Sequence, residues 1–77
     1  MVSSAYHKRC GEHMNLVVKR IEELKFKEAA RELLIADKLA IHAIDMYECE
    51  RLRDQLIVRH GFDWGAFISG HNNLKNG

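Results

Sequence analysis

In the first third of the chain the apolar residues Tyr6, Cys10, Met14, Val17, Ile21 and Leu24 recur at steps of four, four, three, four and three. That spacing lays them along one stripe of an α-helix, with Val18 at its margin. Lys8, Arg9, Glu12, Lys19, Glu22 and Glu23 fall off the stripe. The pattern predicts a helix over 5–24, with Ser3 or Ser4 placed to N-cap it. Gly11 within it costs about 1 kcal/mol relative to Ala and leaves room for a kink or a close helix approach.

From Lys27 to His60 there is neither Pro nor Gly. This predicts a second helix over 27–60, ~34 residues and ~50 Å long at a rise of ~1.5 Å per residue. The apolar face shifts at Lys25, Phe26 and Lys27, which marks the link. A single rod from Ser4 to His60 would need an extended coiled coil, and no heptad is sustained. Between Ala29 and Tyr47 the apolar positions cover roughly 240° of the helix circumference. Ala29, Ala36, Ala40, Ala43 and Tyr47 form one flank, Leu33, Leu34, Ile41 and Ile44 a second, and Ile35, Leu39 and Met46 a third. One partner helix covers ~100–120° of such a surface, so something further must cover the rest. Past Tyr47 the apolar set narrows to Cys49, Leu52, Leu56, Ile57 and Val58. A turn at 25–27 sets Ala5 level with Tyr47, so the last turns of the second helix are expected to lack a partner from the first.

The closing segment can supply one. Gly61 reads as a left-handed helix stop and Asp63 as an N-cap, which predicts a short helix over 63–69 ended by Gly70. Phe62, Trp64, Phe67 and Ile68 then form an aromatic and apolar cluster, with a polar, frayed tail over 71–77. The expected architecture is all-α: one domain over 1–77, an antiparallel helical hairpin with a long second helix and a short C-terminal helix. Its uncovered apolar arc is expected to be consumed in a dimeric helical bundle.

The length, 77 residues, lies near the lower limit at which a hydrophobic core alone suffices. Twelve basic against eleven acidic side chains leave a net charge of +1, smaller than a dedicated nucleic-acid binder needs to neutralise phosphates. Two cysteines, no signal-peptide core and no membrane-length apolar run predict a cytoplasmic protein with reduced thiols and no membrane partner.

The segment Glu23–Ala40, ELKFKEAARELLIADKLA, resembles the turn and second helix of a tetratricopeptide-type hairpin. An aromatic residue precedes a Lys/Glu pair, and Ala29 and Ala36 recur seven apart. The family's Gly and Pro positions are absent, a single repeat is too few for a solenoid, and the likeness identifies no family.

Candidate chemistry is sparse. Cys10 and His13, three apart on a helix, can reach one point as Zn²⁺ ligands, with His7, His42, Cys49 and His60 elsewhere. The predicted register does not bring Cys49 to them, and Cys10 belongs to the apolar stripe, so no metal and no cofactor is expected. There is no phosphate loop and no nucleophile beside a recognisable base. Asp37 falls inside the apolar arc; Asp45, Glu48, Glu28 and Glu32 read as solvated faces. No enzyme is expected. For nucleic acid the candidates are Lys8 and Arg9 with Arg51, Arg53 and Arg59, but acidic residues interleave with most of them. KEAARELL resembles the first helix of a helix-turn-helix, yet the Gly-containing turn is missing.

The expected function is therefore a small non-enzymatic regulator, adaptor or inhibitor, of a kind suited to a phage accessory protein. It docks a helical apolar surface on another protein, through Phe62, Trp64, Phe67, Ile68, Leu33, Ile41 and Ile44. A nucleic-acid-binding regulator is the alternative.

Overall fold

The computed structural model describes the backbone of residues 2–76 and the side chains of residues 7–70. The described chain is helical throughout, with no strand: α1 (Val2–Glu22), α2 (Phe26–Leu39), α3 (Ala43–Asp54) continued by a π-helical turn (Gln55–Arg59), and α4 (Trp64–Asn76).

α1 starts at Val2, so Ser3 and Ser4 lie inside the helix rather than capping it. Its stripe faces inward: Cys10, Val17 and Ile21 are buried and Met14 packs against them, while the side chain of Tyr6 lies outside the described residues. Gly11 does not interrupt the helix. Leu24, at φ 61°, ends it in the left-handed region without a glycine. There Lys25 N–H donates to the Arg20 carbonyl (2.8 Å) and Leu24 N–H to the Ile21 carbonyl (2.9 Å), the paired bonds of a Schellman stop. The link is thus residues 23–25, and Phe26 already belongs to α2.

α2 buries Ala29, Ala30, Leu33 and Ala36. Its contacts with α1 descend as α1 ascends. Cys10 meets Ala36 (3.3 Å), His13 meets Glu32 (2.6 Å) and Arg20 meets Glu28 (4.0 Å).

The single helix expected over 27–60 does not form. α2 stops at Leu39; Ala40 is extended (φ −76°, ψ 108°), and His42, also extended, starts α3 with no side-chain cap bond. Nothing local demands a break here. Folding α3 back onto α1 and α2 buries Ala40, Cys49, Leu52 and Leu56, which a straight rod would leave wet. Each buried leucine gains about 1.5–3 kcal/mol, so the burial outweighs a few lost helical hydrogen bonds.

The consequence is a change of partner. α3 runs parallel to α1: His7 meets Asp45 (2.8 Å), and the Cys10 and Cys49 thiols are hydrogen-bonded. The turns past Tyr47, expected to lack a partner from the first helix, therefore have one. At the end of α3 the wider π-turn advances each residue by less than the 100° of an α-helix. Leu56 stays inward, and four residues later His60 stacks on Phe26 (centroids 4.8 Å apart, 28° between planes). His60 Nε2 is buried with no hydrogen-bond partner among the described residues.

Gly61 (φ 65°) makes the expected left-handed stop, and Phe62 N–H reaches back to the Leu56 carbonyl (3.0 Å). Asp63 caps α4: its Oδ1 accepts the Ala66 N–H at 3.0 Å. α4 then continues past Gly70 to Asn76, well beyond the stop expected at 69, in place of a frayed 71–77 tail; Gly77 lies outside the described residues.

Candidate functional site

Two helices that run parallel at a fixed stagger leave a shallow groove along their outer seam. On α1 the positions flanking the buried stripe are His7, Gly11, Met14 and Val18; on α3 they are Ile44, Glu48, Arg51 and Gln55. Each set steps by four, three and four, so each stays on one face of its helix, and the two sets match at one constant offset in sequence. A cavity of about 290 Å³ lies against His7, His42 and Ile44. A second, of about 480 Å³, is lined by Gly11, Met14, Asn15, Val18, Glu48, Arg51, Leu52 and Gln55. Together they follow the seam for ~16 Å, three turns of helix at ~1.5 Å per residue.

The groove keeps apolar surface in water. Ile44 is 62% exposed and Val18 43%. A Cβ placed on Gly11 would meet nothing within 4 Å among the described residues, so the glycine is a notch in the α1 wall. Arg51 and Glu48 approach each other only to 3.9 Å, leaving both side chains with hydrogen-bonding capacity to spare.

Behind the groove is a polar seam. Asp45 is 2% exposed although sequence spacing suggested a solvated acid. Its Oδ2 is bonded to His7 Nδ1 at 2.8 Å, and it lies in the first turn of α3, where the helix dipole favours an anion. The His7 ring meets His42 edge-on, centroids 5.7 Å apart. One turn deeper, the last turn of α2 leaves the Ala36 carbonyl free, because Ala40 N–H turns to Asp37 instead. The Cys10 thiol donates to that carbonyl at 3.3 Å. Burial pushes both thiols up: Cys10 above its usual value, aided by Asp45, and Cys49 to about 12, aided by the neighbouring Cys10 sulfur. Thiols held protonated are weak nucleophiles and poor metal ligands. The sulfurs thus knit three helices together at one level.

This arrangement redistributes the candidates read from sequence. Cys49 does lie beside Cys10, contrary to the predicted register, because α3 returns parallel to α1. His13 is engaged elsewhere, with Glu32, and no group of three His, Cys, Asp or Glu among the described residues could hold a metal ion. Asp37, read as the acid within the apolar arc, is exposed. Leu33, read as partner-binding, is a core residue at 2% exposure and cannot dock anything. Ile41 (50%) and Ile44 are exposed at the α2–α3 corner. Phe62, Trp64 and Phe67 form one cluster (centroids 5.5–6.4 Å) against the core, half-buried like Ile68. Lys8 and Arg9 are separated from Arg59 by ~20 Å along the parallel α1/α3 pair. Arg51, beside Glu48, and the half-buried Arg53 lie between them, so the five cations do not converge on one patch.

The groove residues themselves were missed by sequence reading, apart from Ile44 and Arg51. Their signal was the repeated four-three-four step, which has no meaning until the direction of α3 is known. No family model, curated protein or solved structure matches the chain. No described helix is long and apolar enough to cross a membrane.

Proposed function

We propose that the protein is a small interaction module that works by docking, without catalysis, and that the α1/α3 groove is its docking face. The observation that carries this reading is the groove itself, a three-turn channel between two parallel helices in which Met14, Val18, Ile44 and a glycine notch lie among charged and polar side chains. An amphipathic helix laid into such a channel would bury Val18 and Ile44 and pack a side chain against Gly11, the helix-in-groove mode of recognition. Regulator, adaptor and inhibitor roles all use such a face. The half-buried Phe62–Ile68 cluster serves in this reading as the cover of the core at the far end of α3.

A display library of amphipathic helical peptides tests it. Selection on the native domain is expected to yield binders whose affinity falls at least tenfold on Val18→Glu. Binders insensitive to Val18→Glu, or an empty selection, would remove the groove from the function.

A further inference from the structure

The groove is self-complementary. Consider a two-fold axis lying in the plane of this face, perpendicular to the helices, at the level between Glu48 and Arg51. It stacks α1 on the partner's α1 and α3 on the partner's α3, both antiparallel. One operator then matches every position, because the α1 and α3 stripes share the same spacing. Glu48 falls level with the second copy's Arg51, and Arg51 with its Glu48. Met14 falls level with the second copy's Gly11, where a Cβ would meet no neighbouring side chain within 4 Å among the described residues. Val18 comes level with His7, and Ile44 with Gln55.

We infer that a second copy of this chain covers this face, groove against groove, joined by reciprocal Glu48–Arg51 ion pairs with Met14 of each copy level with Gly11 of the other. The inference rests on the reading of the groove as a docking face and names what covers it. Charge complementarity argues for a copy over an unrelated helix. The face carries one acid and one base, three residues apart, whose pairing within the chain is loose at 3.9 Å and whose side chains are 38% and 64% exposed. An antiparallel second copy pairs both at once, an isologous contact in which each residue answers the other. Val18 and Ile44 lie on the surface that this operator covers, opposite His7 and Gln55 of the second copy.

Sedimentation equilibrium over a concentration series decides it. The native chain, 8.9 kDa, is expected to rise toward twice that mass with concentration. E48R and R51E each set like charges against each other across the axis, and each alone is expected to stay at one chain. Mixed in equal amounts, the two variants restore opposite charges at both sites, and a two-chain particle is expected to return. V18K, at the groove edge, is expected to weaken assembly at least tenfold. Circular dichroism checks that each variant is helical. A native chain that stays monomeric at millimolar concentration overturns the inference. So does a dimer indifferent to E48R and R51E, or a mixture that fails to reassociate. The peptide selection is independent: groove-binding helices selected on a monomeric protein would retain the docking reading and discard the second copy.

Discussion

Two faces of α3 carry the same spacing and meet opposite fates. Asp45, Cys49, Leu52 and Leu56 step by four, three and four and are buried. Ile44, Glu48, Arg51 and Gln55 take the same steps one residue earlier and line the groove. At the first position hydropathy is inverted: the aspartate is 2% exposed and the isoleucine beside it 62%. Burial here is set by what each face meets. The inner face meets α1 and α2, and Asp45 is tolerated there because His7 and the first turn of α3 answer its charge. The outer face is left uncovered by the described residues, so even an isoleucine stays wet.

The comparison is broken hardest at its deep end. Leu56→Ala removes a fully buried side chain and is expected to cost about 2–5 kcal/mol in urea unfolding, whereas Gln55→Ala, next to it on the groove face, should fall within about 0.5 kcal/mol of the native protein. Equal losses from the two would mean that the faces are not distinct.

The buried thiols provide a pH test of the same inner face. Cys49 has an ordinary value of 9.0 and is raised to about 12 in the fold. Its contribution is therefore fully present below pH 9 and is lost as pH rises from about 9 toward about 12, at about 1.4 kcal/mol per unit of displacement. Unfolding midpoints followed across this window should fall less steeply in Cys49→Ala. Iodoacetamide labelling of the native chain should track unfolding.

A smaller effect probes the inverted position. His7→Ala leaves the Asp45 carboxylate buried without its partner and is expected to cost about 1–3 kcal/mol. Asp45→Asn removes the buried charge and should cost less, since His7 is largely in water. The reverse order of the two melting temperatures would show that Asp45 is held by something other than His7.

The smallest effect belongs to the surface. Arg20 donates to Glu23 at 2.8 Å, a bond that holds the Glu23 carboxyl below its usual value, yet the pair is solvated. Glu23→Gln is expected to leave the melting curve unmoved.

By itself the sequence determined what local chemistry controls. The α1 stripe, the left-handed Gly61 stop, the Asp63 cap and the helical character of almost every segment were legible from spacing and side-chain type. It could not reveal the break at 40–42. Ala40, Ile41 and His42 carry no Pro, Gly or capping side chain that makes a bond, and their local preferences favour continuing the helix. Only the burial of Cys49, Leu52 and Leu56 against α1 and α2 favours breaking it, and that burial exists only once all three helices are assembled. The groove follows from the same decision. Its two walls lie ~37 positions apart in the chain, and their common spacing became a face only when the break turned α3 parallel to α1.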